Sequence, residues 1–394
     1  MQLARLGVHA GMNVQPGQIV AISTEIGKEE LTRAVAREAY RAGARFVDPF
    51  YFDVAIKRAR IELASDETLD FVPPWYGARA LAIGETRSAR IGLSGPVDPT
   101  ALDGLDPVRA GRDRLPWLPE ILTLIEAAST NWSIVPCPTA GWAALVHPEL
   151  PRDEGLARLC DEIAHVCRLD AEDPVEAWRE RIAMLEAVAG RLTEHRFDAL
   201  HFEGPGTDLT VGLFPTSRWI TALFETAEGI PHIANLPTEE VFTSPDPERA
   251  EGTVRSTKPL VLTDGTIIRG LCMRFEGGRA VEIDADENAG VIRGRCQTDE
   301  GATRLGEVAL VDREGRIGRV GTVFYDTLLD ENAASHLAVG NGFDFVLEGG
   351  DDRARRNGSE IHIDFMVGAD DVDVTGLTAA GERVPVLRGG TWQI

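Results

Sequence analysis

The chain has 394 residues, enough for two hydrophobic cores, and its 43% hydrophobic and 26% charged residues are the balance of a folded protein. Its formal charge of -23 at pH 7 works against a nucleic-acid partner, because like charge repels phosphate unless a basic patch intervenes. The densest basic stretch, Arg353, Arg355 and Arg356, follows two aspartates and makes no such patch.

The N-terminal stretch MQLARLGVHAGMNV lacks a continuous apolar core and does not read as a signal peptide. Gln18 to Ile22 is a short apolar run after Pro16-Gly17, which predicts a buried strand. Glu29 to Ala42 carries Leu31, Val35, Ala39 and Ala42 near helical spacing, with Gly43 as its C-terminal stop. Arg45 to Phe50 returns as a strand and completes a βαβ unit. Ala80–Ile83, Arg90–Leu93 and Trp132–Val135 read as further strands, so residues 1–200 are expected to form an α/β domain with a mainly parallel sheet flanked by helices.

Asp173-Pro174 opens the clearest helix, whose buried face is Trp178, Ile182, Leu185, Val188 and Leu192. After about Phe197 the texture changes to short strands and Gly-rich turns: Ala199–Phe202, Leu209–Val211, Thr266–Ile268, Ala280–Ile283 and Val308–Val311. Residues 201–394 are therefore expected to be a strand-rich α+β domain, with no fixed-period repeat. Three lysines stand against 37 arginines, which reads as codon bias. Cys137, Cys160, Cys167, Cys272 and Cys296 make no CxxC pair, so reduced, buried thiols in a cytoplasmic protein are expected. No run of 18 apolar residues predicts a membrane span.

The sharpest chemical signal is Glu360–Val367. Strand alternation puts His362 and Asp364 on one face and Ile361, Ile363, Phe365 and Val367 on the other. Such a pair offers one nitrogen and one oxygen to a cation, or makes a simple His–Asp hydrogen bond on a solvated face. Glu307 lies in the apolar strand Leu305–Val311, where a buried carboxylate needs a cation or a proton and an edge position needs neither. Glu239 and Glu240 repel each other, which either a metal or a helix N-terminus capped by Thr238 relieves. His336 sits among small residues, ordinarily the setting of a core histidine. One glutamate of the Glu239-Glu240 doublet with Glu307, His336, His362 and Asp364 makes three carboxylates and two imidazoles, an inventory that suits two divalent cations polarising a carbonyl and activating water, although composition alone does not join them.

These residues lie in the stretches His201–Leu213, Asn235–Thr243, Leu305–Val311, Phe324–Gly340 and His362–Asp364, with weaker similarity around Thr130–Trp132. In them the chain resembles the aminopeptidase T and aminopeptidase S family of thermophilic metalloproteases. The resemblance implies metal ligands at Glu240, Glu307, His336, His362 and Asp364. It implies zinc, cobalt or manganese as the metal, a homodimer enclosing its active sites, and removal of N-terminal residues from peptides through a metal-bridging water. Glu239, beside a ligand, is read either as a proton shuttle or as plain acidic surface. The family carries a tyrosine seven residues after the motif histidine; this chain has Phe343, which cannot donate a proton. Two other readings remain open. His336, His362 and Asp364 alone suit one Fe(II) in a ring-cleaving dioxygenase, although Glu240 and Glu307 are then superfluous. A metal-binding or peptide-binding protein without activity is the other.

Overall fold

The computed structural model describes residues 1–262 and 266–394 and divides into two compact units. The first comprises Met1–Arg179 with Leu223–Leu236, and the second Glu180–Ala222 with Pro237–Ile394.

In the first unit, β1 (Ile19–Glu25), β2 (Phe46–Phe52), β3 (Ser88–Ser94) and β4 (Thr130–Pro136) form a wholly parallel sheet in the order β2-β1-β3-β4. Parallel neighbours need crossovers, and helix α1 (Glu29–Arg41) supplies the first. One sheet face is buried and mainly apolar, with Val20, Ile22, Ala89, Ile91 and Val135 beside the polar Asn131 and Ser133. The other face carries Ser23, Asp48, Arg90 and Gly92, none of which is buried.

The expected strand Ala80–Ile83 is instead part of helix α2 (Pro74–Gly84). Pro74 at its first turn suits a helix start, since proline lacks the N–H that would go unpaired there. Gly77, Ala80 and Gly84 recur at helical spacing and are buried. Side chains added at Gly77 and Gly84 would collide with Glu120 and Leu124 of helix α3 (Pro119–Glu126), so these small residues permit close helix approach. A four-residue apolar run cannot by itself distinguish strand from helix.

The helix α4 (Pro174–His195) runs as expected, with the Val175 N–H donating to the Asp173 carboxylate at 3.0 Å. Its predicted stripe of Trp178, Ile182, Leu185, Val188 and Leu192 is buried. Cys137, Cys167 and Cys296 are buried free thiols, but Cys160 is exposed and Cys272 half-buried, contrary to expectation. Among the described residues no helix is long and apolar enough to cross a membrane.

The second unit holds an eight-stranded antiparallel sheet that includes Ala199–Gly204, Thr207–Leu213 and Arg279–Asp284. A separate four-stranded antiparallel sheet is built from β5 (Glu240–Thr243), β6 (Leu305–Val311), β7 (His336–Gly340) and β8 (His362–Met366). Its order is β8-β7-β6-β5, and it carries the chemistry.

Candidate metal centre

Register explains why residues over a hundred positions apart meet. Glu307 on β6 pairs with Ala338 on β7, and Ala338 pairs with Asp364 on β8. His336 is opposite Ala309, Gly340 opposite His362, and Val311 opposite Glu240. With period-two alternation, Glu240, Glu307, His336, His362 and Asp364 therefore all project from one face. Ala309, Ala338 and Gly340, lying between them, are small enough to leave that face open. Val308, Leu310, Leu337, Val339 and Phe365 are buried on the opposite face and fix the register, because a one-residue slip would carry the charged residues into that apolar face.

Glu240, Glu307 and His336 each offer a ligand atom within 4.8 Å of the others, and so do Glu307, His362 and Asp364. Glu307 belongs to both groups. The His336 ring donates Nδ1–H to the Ala334 carbonyl at 3.1 Å, which leaves Nε2 3.1 Å from the Glu240 carboxylate. His362 likewise donates Nδ1–H to the Asn341 carbonyl at 2.8 Å, and its Nε2 lies 3.0 Å from Glu307 and 3.2 Å from Asp364. Metal-ligating histidines are oriented by such a backbone bond on the far nitrogen.

The electrostatics are those of a crowded anionic site. Burial works against a charged His336, but Glu240, Glu307 and Asp364 outweigh it and push the imidazole up to about 10. His362 is raised well above its usual range against the same burial, by Asp364 and Glu307. Burial raises Glu307, while His362 and His336 hold Asp364 low despite its burial. Glu240 Oε2 and Asp364 Oδ1 are buried without an aligned hydrogen bond. Buried polar atoms in that condition call for a missing partner, and carboxylates and imidazoles are the donors that divalent cations take. The five residues fit a metal.

Glu239, read as a proton shuttle or as acidic surface, is fully buried and turned to another task. Its carboxylate accepts from Arg181 Nε at 2.5 Å and from the Arg316 N–H at 3.2 Å. Arg181 also donates to Asp312 at 3.1 Å, and the Trp392 indole N–H to Asp312 at 2.7 Å. Thr238 does not cap a helix; a strand follows it.

Sequence reading passed over Glu331, at the end of helix α5 (Thr327–Glu331). Its carboxyl is raised well above the usual range, first by burial and then by Asp364 and Glu240, so it faces the cluster. The available signal was its place five residues before His336 in a quoted motif. Phe343 also lies at the site, its ring 5.3 Å from that of His362, centroid to centroid, and 5.6 Å from that of Phe242.

The model of the thermophilic metalloprotease (M29) family matches residues 1–392. The chain belongs to that family. Aminopeptidase T of Thermus aquaticus is 44% identical over 403 residues, spanning 100% of this chain and 98% of the relative. Aminopeptidase PepS of Streptococcus thermophilus is 37% identical over 99% of this chain and 97% of its own. The solved wild-type AmpT of Thermus thermophilus superposes with a TM-score of 0.93 at 42% identity, covering 100% of this chain and 98% of that one. Family and relatives make this chain a metal-dependent aminopeptidase, a hydrolase that acts on peptides and needs a divalent metal. The 2,5-dihydroxypyridine dioxygenase of Pseudomonas putida KT2440 shares the fold alone, with a TM-score of 0.56 at 14% identity over 99% of this chain and 95% of that one.

Proposed function

We propose that Glu240, Glu307, His336, His362 and Asp364 hold two divalent cations, zinc, cobalt or manganese, with Glu307 shared between them. The observation that carries this reading is the membership of Glu307 in both three-residue groups, one with Glu240 and His336, the other with His362 and Asp364. Bound cations of this kind polarise a carbonyl oxygen and lower the pKa of water. The chain's own residues do the rest. The Ala334 and Asn341 carbonyls fix the two imidazoles. Glu331 accepts the proton of the attacking water and returns it to the departing amine, so that a C–O bond forms as the peptide C–N bond breaks. Burial first, then the charges of Asp364 and Glu240, raise this carboxyl's affinity for a proton above that of an ordinary glutamate. Glu239 positions Glu240 through its ion pair with Arg181 and takes no proton.

The substrates are peptides with a free N-terminus. The working form is a cytoplasmic homodimer enclosing its active sites, as the family resemblance implies, and light scattering of the purified protein tests that state. The mechanism is tested by Glu331→Gln with elemental analysis alongside. Metal content should be unchanged while kcat for an aminoacyl anilide falls by roughly 10²–10⁴, the contribution of a general base. An unchanged kcat would remove Glu331 from the mechanism. About two zinc-like ions per chain fits this centre, whereas one iron would favour the dioxygenase reading.

A further inference from the structure

A second built cavity lies wholly within the N-terminal unit. The half of the parallel sheet that bears Ala21, Ser23, Arg90, Gly92 and Ser94 lines a space of about 910 Å³, lined on its other side by residues of α2 and α3. That volume falls in the range of small-molecule pockets, roughly 300–1,000 Å³. The sequence creates it: side chains at the middle of this sheet face are small. A Cβ added at Gly92 would meet only Ile134, at an ordinary 3.6 Å. The walls are apolar and aromatic, including Phe50, Tyr76 and Ile121, and Trp75 and Trp117 line it while 66% and 50% exposed.

The charges are unevenly matched. Arg90 Nη1 is buried with no hydrogen-bond partner, a costly state for a cation. Asp48, the carboxylate whose field reaches Arg90, is hydrogen-bonded to Arg79 at 2.6 Å. Two guanidiniums thus face one carboxylate, leaving a single positive charge. At the other end Lys28 and Glu25 face each other at 3.7 Å, and Lys57 donates to the Asp113 and Leu115 carbonyls at 2.9 and 2.6 Å. The Ser94 hydroxyl is buried without a partner. Arg90 and Ser94 point to the same side of β3, about 13 Å apart at a strand rise of ~3.3 Å per residue.

We propose that this cavity binds a small amphipathic carboxylic acid, its carboxylate on Arg90 and its unbranched aliphatic or aryl-alkyl body laid over Gly92 toward Ser94. Arg90 is the lining cation left without a hydrogen-bond acceptor, Lys57 being held by two backbone carbonyls, and a single such guanidinium matches one carboxylate. The paired state of Asp48 and Glu25 leaves no free anion for the ammonium of a zwitterion. None of the lining residues belongs to the metal cluster.

Isothermal titration of the full-length, metal-loaded protein with decanoate, decanol and acetate tests this. Decanoate should bind saturably at one site per chain, and decanol more weakly by roughly tenfold to a hundredfold, the loss of one charge-assisted hydrogen bond. Acetate should not bind measurably. Arg90→Met should reproduce the decanol deficit. Gly92→Leu should block the cavity, because its backbone is unstrained and its side chain enters open space. Both variants should keep wild-type metal content and basal peptidase activity. Absence of saturable decanoate binding, equal affinity for decanol, equal affinity for acetate, or unchanged affinity in either folded variant would overturn the proposal. If one variant fails to fold, the other and the wild-type comparison still decide.

Discussion

A carboxylate that holds a metal works through its charge, and Asp364, one of the proposed ligands, offers the test at the smallest scale. Its Oδ1 is buried without an aligned hydrogen bond, beside His362 at 3.2 Å. Asp364→Asn keeps the shape and removes the charge, so metal affinity should fall while far-UV circular dichroism stays unchanged. Wild-type affinity and stoichiometry in that variant would remove Asp364 from the ligand set. Phe343 is the informative departure, its ring packed 5.3 Å from that of His362 where the resembled family carries a phenol. Phe343→Tyr should raise kcat by up to about 10²–10³ with little change in KM, the signature of a donor used chiefly in the transition state. A flat kcat, with the new hydroxyl seen within reach of a bound inhibitor, would deny the position that role.

At the scale of elements, the candidate site is one face of a four-stranded sheet, with Glu240, Glu307 and His336 buried on it. Alternation within Glu360–Val367 was legible, because His362 and Asp364 are local neighbours on an apolar strand. The meeting of Glu240, Glu307 and His336 was not legible from local pattern, since it depends on the register of three strands distant in sequence; the family motifs joined them first. Ala80–Ile83 was misread because its run is too short to fix a period, and what decides it is the small-residue spacing of Gly77, Ala80 and Gly84 packing on α3. The ion pair of Glu239 was not legible, because nothing local announces Arg181, 58 positions away. That arginine ties the start of β5 to the residue after β6, through Glu239 and Asp312. Arg181→Met would take the guanidinium away from two buried carboxylates, at a cost of about 3–5 kcal/mol. The melting temperature should drop clearly, and metal affinity should weaken with it. A variant melting with the wild type would show that the network does not hold these strands.

At the scale of the molecule, the titrating groups of the cluster make stability depend on pH. In metal-free protein His336 titrates at about 10 rather than 6.5, so it favours the folded state fully below about pH 6.5. That contribution is lost as pH rises through the folded value. His362, Glu307 and Glu331 are raised too and act in the same direction. Chelated protein should therefore melt at progressively lower temperature between pH 6.5 and 10, and metal-loaded protein should lose less over that window. Identical, flat profiles for the two forms would contradict this linkage. The α/β unit and the strand-rich unit were both legible as classes from periodicity, but the open face over Gly92 was not, because a cavity is a failure of packing that no single strand encodes.

The central claim is that peptide hydrolysis depends on cations held by the five-residue cluster. The direct measurement is the rate of aminoacyl-anilide hydrolysis in protein stripped by chelation, verified metal-free by elemental analysis, and then titrated with zinc, cobalt or manganese. The stripped protein should remain folded and inactive at neutral pH, and activity should return in proportion to bound metal, saturating near two ions per chain, about the capacity of two sites sharing one carboxylate. Full activity in protein shown to be free of metal would contradict the account.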